Sequence, residues 1–218
     1  MATDADLDAT KNEPDLDEDE PRSFAPSWPQ VVVLVLALCF LSSAVTWWWT
    51  SRDPKPNATD VGFFDDMTTH HNQAIGMAIT YLKHGNDRIL GFIASDINTV
   101  QNGDIRQMQA ALQEWGSDTS PDVAMEWMGM RVPQNAQPGM ATDAQLKELA
   151  AARGRELDDL FSRLMIEHHQ GGIHMADAAA RTGKLTKNTA EGMASLQRSE
   201  INEINLRREQ LGLERVPV

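Results

Sequence analysis

The chain has 218 residues, a formal net charge of −13 and a sequence pI near 4.8. That length holds one ordinary domain plus appendages, and the acidity does not suit a phosphate backbone, so nucleic acid is set aside as a partner. The only cysteine is Cys39, so no disulfide forms within one chain.

Residues 1–27 carry nine acids against Lys11 and Arg22, which places −7 of the −13 in a segment with almost nothing apolar to bury. This composition predicts a disordered acidic tail over 1–27. No charged residue then occurs between Arg22 and Arg52, and Val31 to Trp49 reads VVVLVLALCFLSSAVTWWW. Roughly 20 apolar residues cross a bilayer, with tryptophans favoured at the interfaces. Trp28 at one end and Trp47, Trp48 and Trp49 at the other therefore predict a transmembrane helix over 28–50. A cleavable signal peptide is the competing reading, and the late start, acidic leader and length favour an uncleaved anchor. Lys11 and Arg22 before the span nearly balance Arg52 and Lys55 after it. The expected arrangement is single-pass in the cell membrane, N-terminus cytoplasmic and the larger domain extracytoplasmic.

Residues 51–58, SRDPKPNA, read as a linker. A helix is predicted from about Thr59 to Lys83, capped near Asn57 or Thr59 and closed by His84-Gly85. Asn86-Asp87 caps a second helix running to Trp115. Residues 117–141, with Pro121, Pro133 and Pro138, read as a long irregular connection. Thr142 and Gln145 offer a capping box. Gly154 separates a short helical piece from a long helix that stops at Gly183, and a last helix spans about Thr186 to Leu211.

One segment is written twice: MTTHHNQAIGMA from Met67 and MIEHHQGGIHMA from Met165. His71 to Gly85 and His169 to Gly183 are the same 14 positions, and QNGDI at Gln101 matches QRSEI at Gln197. Two hairpins of one design predict an all-α fold, a four-helix bundle over 59–218 with approximate two-fold symmetry.

At helical spacing, Met67, His70, His71, Ala74 and Met77 share one face, as do Met165, His168, His169, Gly172 and Met175, whereas Asp65 and Glu167 point away. Core packing alone explains one such face. Four of six histidines in two matched pairs exceed what packing asks for. The candidate metal ligands are therefore Met67, His70, His71, Met77, Met165, His168, His169 and Met175. Thioethers are soft and suit Cu(I), imidazoles accept copper, zinc or iron, and no thiolate is available, so copper as Cu(I) is favoured over zinc or iron. A carboxylate-bridged di-iron site would need Glu-x-x-His on two helices, and that spacing is absent. Asp104 falls on the apolar stripe of Ile93, Ile97, Val100 and Met108, and Glu200 on that of Met193, Leu196 and Ile204. Buried carboxylates need partners, so both are expected to accept ring N–H groups from the motif histidines; exposed positions at the stripe edges are the alternative. His84 and His174 have no counterparts and are poor ligands. Met125, Met128 and Met130, with Trp127, form either a soft-metal entry or a cap on the bundle end.

Over about Asp60 to Leu211 the chain resembles the domain-of-unknown-function 305 family, whose signature is a doubled Met-x-x-His-His followed by Ile and Met-Ala. FFDDMTTHHNQAIGMA, LFSRLMIEHHQGGIHMA and GMATDAQLKEL from Gly139 all fit it. The resemblance implies a ferritin-like bundle in the envelope or periplasm, with some relatives linked to copper binding and resistance, and no established catalysis. It carries candidate ligands onto the same eight His and Met positions. The chain departs from the commonest form at Thr69 and Glu167, before each His-His, and at Gly172, where alanine is usual.

The leading expectation is a membrane-anchored, extracytoplasmic protein that binds copper through His and Met for buffering, resistance or transfer, with no catalytic residue assigned. Two alternatives stand beside it. One is an accessory subunit of a respiratory or transport complex, or a homo-oligomer, working through protein contacts. The other is a metal-dependent oxidase with Asp104 and Glu200 as direct ligands.

Overall fold

The computed structural model describes residues 26–51, 54–117 and 122–218, so most of the expected acidic tail lies outside the described residues. It divides into two units at Asp53. The first contains one helix, α1 (Trp28–Thr50), long and apolar enough to cross a membrane by length and composition. Its bounds coincide with the expected span. Ser27 and Gln30 close a capping box at its start.

In the second unit, α2 (Ala58–His84) and α3 (Arg88–Glu114) form one hairpin, and α5 (Gly154–Thr182) and α6 (Lys187–Gln210) the other. α2 packs against α5 and α3 against α6, which completes the predicted four-helix bundle. A short helix, α4 (Asp143–Ala151), leans on α2 and α5. The connection before it contains the antiparallel two-residue strands β1 (Val123–Ala124) and β2 (Val132–Pro133) and two 3₁₀ turns.

The ends of the elements follow from local chemistry. Asn57 caps α2 in a reciprocal box with Asp60, Asp87 caps α3 by accepting from the N–H groups of Ile89 and Leu90, and Thr142 and Gln145 box α4. Gly85 and Gly183 follow α2 and α5 as expected, but for a different reason. Both are extended, with φ of −74° and −70°, so neither is the left-handed cap that favours glycine. They are needed for space: a Cβ on Gly85 would strike the Tyr81 ring, and one on Gly183 would strike Thr186 and the Ala179 carbonyl.

The start of the first hairpin is pinned to the turn of the second. The Asp60 carboxylate accepts from Asn57 N–H at 2.8 Å, Leu185 N–H at 2.9 Å, Thr186 N–H at 3.1 Å and Thr186 Oγ1 at 2.9 Å, while Asn57 Nδ2 donates to the Thr182 carbonyl at 2.8 Å. At the opposite end Tyr81 stacks on Phe161, with ring centroids 4.4 Å apart, and donates to Asp158 at 2.5 Å.

A candidate metal centre of paired histidines and methionines

α2 and α5 are amphipathic, and each turns its motif face inward. Met67, His70, His71, Met77, Met165, His168, His169 and Met175 are all at most 1 % exposed. Asp65 and Glu167 are half-buried on the outer side. The methionines separate into two sets, each drawing one residue from each repeat: Met67 and Met175 share one apolar cluster, Met77 and Met165 the other. The start of one motif therefore lies near the end of the other.

Between these sets the imidazoles form two kinds of pair. His70 and His168 stack, with ring centroids 3.8 Å apart and planes tilted by 35°. Each donates its Nε2–H to a backbone carbonyl: His70 to Pro138 at 3.0 Å and His168 to His70 at 3.0 Å. His71 and His169 instead face carboxylates on the neighbouring helices. His71 Nε2 lies 3.4 Å from Asp104 Oδ2, and His169 Nε2 lies 2.7 Å from Glu200 Oε2. Asp104 is nearer the surface than Glu200, with side chains 23 % and 11 % exposed. The stripe reading placed Val100 and Leu196 inside with these acids, yet both are exposed, because they sit at matched positions where α3 and α6 turn toward solvent.

The hydrogen bonds fix the tautomers. Carbonyls and carboxylates only accept, so Nε2 carries the proton in each ring and Nδ1 holds a bare lone pair. All four Nδ1 atoms are buried without a hydrogen-bond partner. An orphaned buried acceptor costs on the order of 1–3 kcal/mol, so four together are a substantial concession by the fold. Burial also keeps His70, His71 and His168 neutral. It lowers the pKa of His70 to about 3, lowers His71 despite the opposing Asp104 carboxylate, and lowers His168 strongly, with His70 beside it adding to the effect. Neutral imidazoles with a free Nδ1 and a held Nε2–H have the protonation state a metal ligand requires.

Among the described residues, no group of three or more His, Cys, Asp or Glu side chains is arranged to hold a metal ion by itself. The buried donors beside these histidines are the thioethers of Met67, Met77, Met165 and Met175, soft donors that suit Cu(I) or a similar ion.

Several contributors are invisible in a motif reading. Residues 137–141 form a strap over α2 and α5. Gln73 exchanges two hydrogen bonds with the backbone of Ala141, at 2.9 and 2.7 Å, and Gly139, at φ +77°, lies so close to α5 that a Cβ would meet the backbone of Glu167 and His168. Gly171 leaves room for the Pro138 carbonyl that holds His70. Gly172 has a packing reason too, since a Cβ there would strike the side-chain oxygen of Gln197. The loop methionines divide: Met125 is fully buried beside Phe63, Phe64 and Met67, whereas Met130 is exposed. Asp66 holds that loop by accepting from Met125 N–H and Trp127 Nε1–H, both at 2.8 Å. The loop therefore caps the bundle end. His84 and His174 are exposed and stand apart from the buried set.

The family model for the domain of unknown function DUF305 matches residues 60–207. The chain belongs to the DUF305 family. A DUF305 protein of Streptomyces coelicolor, described as secreted, is 34 % identical with a TM-score of 0.67, the match covering 73 % of this chain and 98 % of that one. A DUF305 fragment from Deinococcus radiodurans is 28 % identical with a TM-score of 0.60, covering 69 % and 95 %. CopM in its Cu(I)-bound form is 27 % identical with a TM-score of 0.53, covering 71 % and 99 %, and CopM is also known in Cu(II)-bound and Ag-bound forms. No curated protein is a significant match.

Proposed function

We propose that this is a membrane-anchored, extracytoplasmic copper-binding protein whose copper ligands, in one shared centre or two, are drawn from the Nδ1 atoms of His70, His71, His168 and His169 and the thioethers of Met67, Met77, Met165 and Met175. The observation that carries the reading is the four buried, unpartnered Nδ1 lone pairs set among buried methionines. The copper- and silver-bound states of CopM support it from outside this chain. Thioethers stabilise Cu(I) over harder ions, and exchange at such donors suits buffering, resistance or hand-over better than permanent storage. Asp104 and Glu200 orient His71 and His169 from behind and are not direct ligands. The apolar helix Trp28–Thr50 is the anchor, with the short N-terminal tail on the cytoplasmic side.

The test is Cu(I) competition titration and metal analysis on the full chain in detergent, beside a variant with His70, His71, His168 and His169 all changed to alanine. Helicity is checked by circular dichroism. Tight binding that vanishes with the histidines while helicity persists supports the reading; copper binding that survives their loss overturns it.

A second reading, an accessory subunit of a membrane complex, draws on the exposed Ile89, Phe92 and Leu206 around a groove of about 310 Å³ between α3 and α6. Co-purification with a complex that is insensitive to the histidine changes would favour it.

A further inference from the structure

At the end of the bundle that holds Tyr81, α3 and α6 leave a groove of about 310 Å³ open to solvent. Ile89, Phe92, Ile93 and Leu206 form its apolar surface, and Asp96 and Glu203 stand along it. Phe92 is 61 % exposed, Leu206 54 % and Ile89 39 %, so large apolar side chains are left in water at neighbouring positions rather than scattered singly. Such a patch marks a contact surface.

The charges around the patch say what covers it. Arg88 and Asp96 are each four residues from Phe92, about 6 Å along α3 in opposite directions and on one face of the helix. The Arg88 guanidinium lies over the Phe92 ring, 5.8 Å from its centroid, and Asp96 shares the groove with Phe92. Both charges are exposed, and among the described residues neither has an ion-pair partner. On α6, Glu203 and Gln210 flank Leu206 in the same way, and Gln210 accepts from Arg207 through Oε1, which leaves its amide hydrogens to donate. A two-fold contact sets a surface against itself, so these charges discriminate between its possible axes. An axis along the helices would bring Asp96 of one copy onto Glu203 of the other, acid on acid. An axis crossing α3 at Phe92 at right angles runs the two α3 helices antiparallel, places Phe92 on Phe92, and sets Arg88 of each copy against Asp96 of the other. The same operation brings Glu203 of each copy toward the Gln210 amide of the other. The pattern is self-complementary in that arrangement alone of the two.

We propose that the groove between α3 and α6 is a self-association surface, on which a second copy of this chain docks through Phe92 and Leu206 in the antiparallel two-fold arrangement that pairs Arg88 of each copy with Asp96 of the other. The contact takes the patch out of water and gives both unpaired charges a partner. It stands apart from the copper reading, since none of the paired histidines or motif methionines lines the groove.

Sedimentation velocity of the full chain in density-matched detergent, over about 1 to 100 µM, reads the monomer–dimer equilibrium. A dimer is expected, and Phe92→Glu/Leu206→Glu should abolish it. Arg88→Asp or Asp96→Arg alone sets like charges together twice per dimer and should weaken association about tenfold, whereas the two changes combined restore the pairs with reversed sign and should recover it. All four positions are exposed, and circular dichroism checks that helicity is kept. A chain that stays monomeric throughout, including one that instead captures a different protein through Phe92, would overturn the proposal. So would a dimer that survives Phe92→Glu/Leu206→Glu, as one made through α1 would, or a charge exchange that fails to recover what the single changes lose.

Discussion

His70 and His168 lie face against face with 3.8 Å between ring centroids, and each is held by a backbone carbonyl rather than by an acid. His71 and His169, one position along, take carboxylates. The two pairs are therefore fixed with different strength, and this separates the consequences of altering them.

His168→Leu removes an orphaned Nδ1 and a hydrogen bond to the His70 carbonyl, while keeping a similar volume. His169→Leu removes an orphaned Nδ1 but strands the buried Glu200 carboxylate. Urea unfolding of the metal-free chain is expected to place His168→Leu within about 1 kcal/mol of the parent or above it, and His169→Leu on the order of 2–3 kcal/mol below. Equal losses in both would show that the Glu200 contact is energetically idle.

Metal-free stability should fall in acid. Burial depresses the pKa of His70, His71 and His168 below the ordinary 6.5, with His70 at about 3. The unfolded chain thus takes up protons first. Stability is full above about pH 6.5 and is lost as pH falls toward about 3, at up to roughly 1.4 kcal/mol per pH unit for each ring. Asp65, raised to about 6 mainly by burial and then by Asp66, works in the opposite direction, as does Asp66, raised mainly by burial. Three rings outweigh two acids, so unfolding midpoints measured at pH 7.5, 6 and 5 should decline. A flat profile would contradict the buried neutral rings.

Glu200→Gln and Asp104→Asn should weaken Cu(I) unequally. The 2.7 Å contact to His169 holds its ring more firmly than the 3.4 Å contact holds His71. A loss of about 10–100-fold is expected for Glu200→Gln, and a smaller one for Asp104→Asn, by competition titration. The reverse order would place the dominant support on the first repeat.

Adjacent glycines should behave differently. A Cβ at position 171 meets the rigid Pro138 backbone, whereas one at 172 meets the flexible end of Gln197. Gly171→Ala should cost about 2–3 kcal/mol and loosen the strap that holds His70; Gly172→Ala should cost less than about 1 kcal/mol. Thermal unfolding of the two variants decides between them.

Much of this fold was legible because it is written twice. The matched histidine helices, equal distances to Gly85 and Gly183, and the Thr142/Gln145 box located the helices to within a residue or two. Inward faces followed from helical spacing, and the reach of Asp104 and Glu200 toward imidazoles followed from the cost of burying charge. What sequence did not disclose is mostly main chain and long-range. The Pro138 carbonyl has no side-chain signature, and Asp60 and Asp66 look like ordinary acids until Thr186 and Trp127 arrive from distant segments. Gln101 and Gln197 marked the repeat, yet nothing in their spacing revealed that their oxygens would be buried unpaired.

The clamp around Asp60 also has a mechanical meaning. A pull applied to the chain at Pro54 reaches Asn57 and Asp60, at the start of α2, first. There it passes at once into the second hairpin, through Thr182, Leu185 and Thr186. Tension entering there is thus shared by both hairpins before it can peel α2 away from its partners, and the paired histidines lie downstream of that shared grip.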